Sequence, residues 1–549
     1  MKALRALIIA AAALSLLSCV RVTCSQVDPL VKVFPEMTAF PAAPQMQYAA
    51  GGMNVEFQFA LYSNSPVKNF RISCSEFRSD EGNKIPAPVC GLVDYVGCSE
   101  LQQYPAHDAL RSNSGLFPDP ILEQDSYDLP AFRAFCPWIT LRVPEGTPAG
   151  IYTATVTMKG RGFCFREPVK VKVYPFDMEK PSFENVNWVF DFPEVLTYWN
   201  NGEKVELDSD LYWEYMDQLA EKMYEGHQTM SMVNIFRVVG MERGSDGKWT
   251  FDWTLFDKQV RGYIAHGVGE RIQGAELGHR LNPVWESPMG LFYPMGGDEI
   301  ELLPVSDPRI QEFYSQFLPA YKAHVEQNGW ADRWVQKVCD EPIDANAESY
   351  CEVVRFIRRY WKDIQVLEAL QTTRLTGAVD IWVPQLNIWH NNYDFYKERQ
   401  KAGDHIWFYT CCFPQEEYPN RFIEQPLLKG RMVYWMGYKY GAEGFLHWGF
   451  NYWNADCYKD ASKWSGSLVL PGGDSWIVYP GYHKFLRSIR FEQMRDGLED
   501  ITLLRMLERK DADKARAVCD GLVMNWWVYC TSPTRYMETR KFLLEALSE

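Results

Sequence analysis

From residue 28 to residue 178, short runs of alternating apolar and polar residues are separated by Gly, Pro and Asn, the period of strands with one buried face. The clearest piece is WITLRVPEGTPAGIYTATVTM at 138–158. Its first run meets a turn at 144–150, and its second sets Tyr152, Ala154 and Val156 against threonines, which predicts a hairpin of an immunoglobulin-like β-sandwich. The last strand, 169–173, leads into YPFDMEKPSF, whose prolines mark a linker. After Phe183 the period changes to short apolar strands followed by amphipathic helices. Strands are predicted near 186–192, 230–237, 272–277, 335–339, 366–371, 380–386, 405–409 and 444–448. Asp208 can cap a helix with Leu211, Tyr215, Leu219 and Met223 on one face, and Asn346 one with Tyr350, Val354, Ile357 and Trp361. Eight βα units predict an α/β fold, a (β/α)8 TIM-like barrel over 183–510, whose site lies at the C-terminal ends of its strands. Residues 511–549 read as a helical tail packed on it.

The front of the chain has a different pattern. Lys2 and Arg5 precede an apolar run over 6–17 that stops at Ser18 and Cys19, a secretion signal too short for a membrane span. Leu16-Leu17-Ser18-Cys19 fits the processing site of bacterial lipoproteins, which makes 1–18 the signal and Cys19 an acylated N-terminus. An ordinary cleaved signal, cut near Cys24 without lipid, is the alternative. Both readings export the protein. The first places it in the bacterial cell envelope, held to a membrane by a lipid anchor on the periplasmic or the surface side.

Composition narrows the partners. A net charge of -15 in 549 residues leaves no basic stripe for phosphates, which excludes a nucleic-acid partner. Twenty Trp and 15% aromatics suit sugars, with their apolar C–H faces, as well as they suit a core. The nine His include no HxH or HxxxH and the 14 Cys no CxxC, so neither a metal nor an organic cofactor is expected. Cys74, Cys90, Cys98, Cys136 and Cys164 fall in one third of the chain and can pair.

The candidate chemistry sits in WVQKVCDEP at 334–342. Cleavage of a glycosidic bond needs one acid to protonate the leaving oxygen and a second group to stabilise or attack the anomeric carbon. Asp-Glu occurs three times, at 80–81, 298–299 and 340–341, so the dipeptide itself is no evidence. Only Asp340-Glu341 directly ends an apolar strand, and Pro342 then turns the chain away. A surface pair of acids, or Asp340 as a helix cap, fits the spacing equally.

The DEP turn after the fourth strand, GFLHWGFNYW at 444–453 and SIRFEQMRDGLED at 488–500 together resemble the catalytic domain of glycoside hydrolase family 123. They resemble equally the related group labelled domain of unknown function 4091. The resemblance runs from 183 to about 507. It implies a retaining β-N-acetylgalactosaminidase acting on an oligosaccharide or glycoconjugate, in which the substrate's own 2-acetamido oxygen attacks the anomeric carbon. Asp340 would then hold and polarise the acetamido group and Glu341 would serve as general acid and then base.

Other strand ends offer Asn387, Trp389, His390, Tyr409, Trp448, Asn451, Tyr452 and Trp453. Asn387, Trp389, Tyr409, Trp448, Asn451 and Trp453 are the expected sugar contacts, with packing in the core as the alternative for each. Arg490, Glu492, Arg495 and Asp496 alternate in charge ahead of a helical run, either as an ion-pair network at the barrel mouth or as a solvated helix face. A glycosidase with its own nucleophile, Glu368 or Glu492, and a non-catalytic glycan-binding lipoprotein are the competing functions.

Overall fold

The computed structural model describes residues 22–549 apart from 45, 298, 466 and 467. The secretion signal and Cys19 lie outside the described residues. Among the described residues no helix is long and apolar enough to cross a membrane, and every cysteine is a free thiol.

The N-terminal part is sheet-rich. One sheet orders the strands Val22–Val27, Asn54–Ser63, Arg133–Arg142, Val89–Cys98 and Gly115–Leu122, all antiparallel. The second has seven strands, with Gly150–Gly160 between Phe163–Asp177 and Val67–Cys74. The predicted hairpin is therefore wrong in its pairing. Arg133–Arg142 and Gly150–Gly160 belong to different sheets, and Gly150–Gly160 pairs instead with Phe163–Asp177, Gly150 facing Val173. The turn at 144–150 is an arch between sheets. Pro144 and Pro148 in it carry no N–H with which to continue a ladder.

Asn54–Ser63 is buried along both faces, unlike a strand with a wet side. Val55, Phe57 and Phe59 fill the apolar core. Asn54, Glu56 and Gln58, on the other face, are also buried. Asn54 donates from N and Nδ2 to Glu499 Oε1 at 2.9 and 2.7 Å, so this face abuts a helix of the C-terminal part.

That part carries eight short parallel strands: β1 (Glu184–Asn187), β2 (Met230–Val233), β3 (Arg271–Gly274), β4 (Trp334–Gln336), β5 (Leu367–Leu370), β6 (Ile381–Pro384), β7 (His405–Thr410) and β8 (Gly444–His447). Ladders join β2 to β3, β3 to β4, β5 to β6, β6 to β7, β7 to β8 and β8 to β1. A single parallel bridge, Gln336 to Val366, links β4 to β5. The ring closes where Thr229 N donates to Asn185 O at 3.0 Å. Val186, Met230, Val335, Leu367, Ile381, Trp407 and Leu446 form an apolar cluster of their own inside the ring, separate from the main core. Each predicted strand overlaps one of these.

Helices α1 (Ala347–Ile357), α2 (Ile489–Lys510) and α3 (Pro533–Ser548) pack outside. Asn346 does not cap α1 as expected. Its side chain accepts from Ile343 N at 2.8 Å and donates to Trp285 O and Ser287 O at 3.1 and 3.2 Å, tying two loops together. Nor does Asp208 cap the helix Asp210–Glu225. Ser209 does, and Asp208 accepts from Trp213 Nε1. Between β3 and β4 the chain makes an unforeseen excursion of three antiparallel strands, Gly278–Arg280, Met289–Gly296 and Glu299–Leu303.

Candidate active site

The turn after β4 is held from beneath. Glu368, on β5, is fully buried and accepts from Val338 N and Cys339 N at 3.2 and 3.0 Å and from Tyr350 OH on α1 at 2.9 Å. Its neighbours Leu367 and Ala369 line the ring interior, so alternation turns Glu368 outward, toward α1. Glu341 then adopts a φ of 42°, in the left-handed region that a non-glycine residue occupies only when its surroundings enforce it. Arg280 Nη2 donates to Glu341 O at 2.6 Å and Gln371 N to Pro342 O at 3.0 Å, which fixes that conformation.

The two acids meet different surroundings. Lys337 Nζ, itself buried, lies 2.7 Å from Asp340 Oδ1 and 2.6 Å from Glu276 Oε1. Burial works to raise the Asp340 carboxyl, but the Lys337 ammonium, helped by His279 and Arg280, outweighs it and holds the group below the usual range. Glu341 is raised, by burial and by the charge of Asp340, against the opposing hydrogen bond from the Tyr409 hydroxyl. One acid is kept ionised and its neighbour is biased toward its protonated form, the division that general acid catalysis beside a stabilising carboxylate requires.

Tyr409, at the end of β7, is brought to the pair, its hydroxyl donating to Glu341 Oε1. Gln371 and Gln385 each donate to its hydroxyl, at 3.4 and 3.3 Å. Gln385 also reaches Cys411 Sγ at 3.5 Å. Trp448, past β8, is half-buried against the ring interior and donates from Nε1 to Asp474 Oδ1 at 3.1 Å. Asp474 was not foreseen. It is fully buried, and burial pushes its carboxyl up to about 7 although Arg421, Trp448 and Arg490 oppose this; the charge of Glu341 adds to the rise. It comes from a loop beyond the last ring strand, where strand patterns give no signal. Glu276 was missed for a different reason: it stands at the end of β3 in the sequence, and the reasoning that selected Asp340 applies to it.

Three expected sugar contacts are core residues. Trp389 is 1% exposed, stacked 5.1 Å from the Phe408 ring and against Trp526, because the short helix Leu386–Asn391 turns it away from the ring interior. Trp453 is also 1% exposed and donates from Nε1 to Val478 O at 2.8 Å. Asn451 is fully buried, its side chain bridging Phe190 N and O at 2.9 Å each and Tyr215 OH at 2.6 Å, a clamp between two loops. Asn387 lies on the same short helix as Trp389, half-buried, with its Oδ1 unpartnered.

The charged run at 490–496 is a buried ion-pair network and not a solvated helix face. Arg495 reaches Glu56 of the N-terminal sheet at 2.5 Å and Glu492 at 2.6 Å, and Glu492 accepts from Thr140 at 3.3 Å. Its place is the seam between sheet and α2. Arg490 pairs with Asp119 of the sheet at 2.8 Å while donating to Gly473 O and Trp476 O at 2.8 and 2.9 Å, and so holds the loop that carries Asp474. Glu368 and Glu492, turned outward and into the seam, do not face the ring interior, which removes both as nucleophiles. Among the described residues the one cluster with metal-ligand spacing is His107, Asp108 and Glu417, away from these acids in sequence and strand; the Lys429 ammonium 2.9 Å from Asp108 opposes a cation there.

Parallel strands closed in a ring, with a split carboxylate pair on a strained turn at their C-terminal ends, suit a hydrolase of glycosidic bonds. The chain belongs to glycoside hydrolase family 123: the model of the glycoside hydrolase 123 catalytic domain matches residues 203–507 and that of its N-terminal domain residues 43–160. Among solved structures, a family 123 glycoside hydrolase from Clostridium perfringens, described in connection with glycolipid glycan hydrolysis, is 16% identical, with 96% of this chain and 97% of that chain covered and a TM-score of 0.75. The two share a fold. A GH10 xylanase from Thermobacillus composti is 13% identical over 58% of this chain and 97% of its own, with a TM-score of 0.33. An endo-β-1,4-mannanase from Thermotoga petrophila is 11% identical over 59% and 77%, with a TM-score of 0.34. No curated protein matches the chain.

Proposed function

We propose that this glycoside hydrolase is an exported, retaining β-N-acetylhexosaminidase in which the substrate's acetamido oxygen is the nucleophile. The observation that carries the reading is the opposite bias of Asp340 and Glu341. Glu341 gives its proton to the glycosidic oxygen as the acetamido carbonyl oxygen bonds to the anomeric carbon and the bond to the leaving group breaks. Asp340, ionised, accepts the acetamido N–H and stabilises the positive ring that forms. Water then attacks the anomeric carbon as its bond to the acetamido oxygen breaks and the acetamido group is restored, Glu341 takes the water's proton, and two inversions leave the configuration retained. No step calls on a cofactor. In this reading the ring is a (β/α)8 barrel behind an immunoglobulin-like sandwich, and Tyr409 and Trp448 line the sugar site.

The substrate proposed is the glycan of a glycoconjugate; the action of the Clostridium relative on glycolipid glycans supports it. Acylation at Cys19 fits the same setting. Val22 already pairs with Ser63, so residues 20 and 21 alone would separate the lipid from the folded body, and a cut near Cys24 would strip Val22 and Thr23 from their partners.

Glu341→Gln should slow substrates with poor leaving groups by about 10²–10⁴-fold and spare activated aryl glycosides. Asp340→Asn should slow every 2-acetamido substrate alike and weaken binding of a thiazoline mimic of the intermediate. Near-normal rates for both variants on all substrates would refute the assignment.

A further inference from the structure

The excursion between β3 and β4 is fastened to the catalytic turn at several points. Leu277 N and Gly278 N donate to Val338 O at 3.1 and 3.0 Å, and Asn346 Nδ2 donates to Trp285 O at 3.1 Å. The centre of this fastening is Arg280, which is 4% exposed. Its Nη2 holds Glu341 O at 2.6 Å, its Nε holds Trp285 O at 3.0 Å, and its Cζ stands 3.7 Å from the centre of the Trp285 ring. One face of that indole is thus covered by a cation that cannot turn. Yet Trp285 is 43% exposed, so its free surface faces solvent. Scattered exposed apolar residues are ordinary, and Val284, Met295 and Ile300 on the same excursion are examples. Trp285 differs because one buried side chain fixes both it and the turn that presents Glu341.

We propose that Trp285 is the platform on which the sugar on the leaving-group side of the scissile bond stacks. The inference rests on the reading above, in which Glu341 meets the leaving oxygen; whatever is bonded to that oxygen must lie on Glu341's flank, where Arg280 sets the indole. A pyranose presents a face of C–H groups to such a ring, and an immobilised indole loses little freedom when it binds. The ligand class is therefore a glycan with a sugar as its leaving group, in preference to a glycoside of a small alcohol.

The test compares two 2-acetamido substrates, a disaccharide and a β-glycosyl azide whose leaving group is too small to reach the indole. Trp285→Ala should raise KM for the disaccharide roughly three- to tenfold with kcat little changed, and leave both constants for the azide within about twofold. Trp285→Phe, which keeps a flat ring, should recover most of the disaccharide KM. Equal effects of Trp285→Ala on both substrates, or none on either, would overturn the platform while leaving Glu341 in its role. A wild-type enzyme that cleaves neither substrate would overturn the acetamido reading, and the platform with it.

Discussion

The Lys337 ammonium sits between Asp340 and Glu276, 2.7 and 2.6 Å from their carboxylates, with the ring of Trp188 3.8 Å from its Nζ. It is the counter-charge that keeps a half-buried Asp340 ionised, and it also lowers Glu341 to a smaller degree. Lys337→Met removes the main opposition to burial at Asp340 and a lesser one at Glu341, so both carboxyl pKa values rise. The proposed mechanism needs Asp340 ionised and Glu341 protonated. The acidic limb of kcat/KM should therefore move to higher pH, by roughly one unit or more, and the alkaline limb should move the same way. A pH–rate profile whose limbs stay in place would show that Asp340 does not depend on this cation.

Glu368 offers a stability test separate from catalysis. Burial pushes its carboxyl up to about 8, so the folded protein keeps a proton that the unfolded chain loses near its ordinary value of 4.5. For an acid raised in this way the cost is absent below the unfolded pKa, grows as pH rises from about 4.5 to about 8, and is constant above. Glu368→Gln, whose amide oxygen can still accept from Val338 N and Cys339 N, should flatten this decline. Its stability relative to wild type should improve by up to a few kcal/mol between pH 5 and 8 in denaturant titrations. Parallel curves for the two proteins would mean that Glu368 is ionised in the fold.

The seam between sheet and α2 should make the two parts unfold together. Arg495 faces Glu56, Glu492 and Asp496, all buried. Arg495→Met removes the cation shared by the three acids, leaving Glu492 to Arg487 and Asp496 to Arg431, and should cost about 3 kcal/mol. Glu56 is raised well above its usual value by burial and by the charge of Asp496, which biases it toward its protonated form. Glu56→Gln should then cost under about 1 kcal/mol. Calorimetry should give one transition for the wild type. Two separated transitions, or equal costs for the two variants, would contradict a shared charged seam.

The alternation of period was enough to place the eight ring strands, because most of them bury both faces and read as short apolar runs, although β1 and β3 carry polar residues. Position at a strand end then selected Asp340 and Glu341 from three Asp-Glu pairs. It served less well for the aromatics. Tyr409 and Trp448 face inward, but Trp389 and Trp453 lie five and six residues past the ends of their strands, where a short helix and a loop have already turned the side chain into the core. A pattern of residue types cannot register that rotation. Nor does it reveal partners brought together across hundreds of residues, such as Asp119 with Arg490 or Glu56 with Arg495. The hairpin was misread because an arch between sheets and a turn within one have the same Pro and Gly signature.

Trp448 and Trp453, five residues apart, should respond to substitution in opposite ways. Trp453 is 1% exposed, packs against Phe485 and donates its indole N–H to Val478 O, all within the protein. Trp453→Ala opens a large cavity and leaves that carbonyl unpaired, which should cost about 3–5 kcal/mol of stability. KM measured well below the unfolding temperature should hardly change. Trp448 is half-buried at the ring interior, and its Nε1 is the hydrogen bond that restrains Asp474, whose carboxyl burial already pushes up to about 7. Trp448→Phe keeps most of the volume but removes that donor, so the Asp474 pKa rises further and the acid is neutral over a wider pH range. Stability should fall by about 1 kcal/mol or less, while kcat/KM falls roughly tenfold with the loss greatest above pH 7, where wild-type Asp474 is ionised. If Trp448→Phe lowers the unfolding temperature as much as Trp453→Ala and leaves kcat/KM intact, Trp448 is a core residue too, and the inward-facing wall of the site must be sought on other strands.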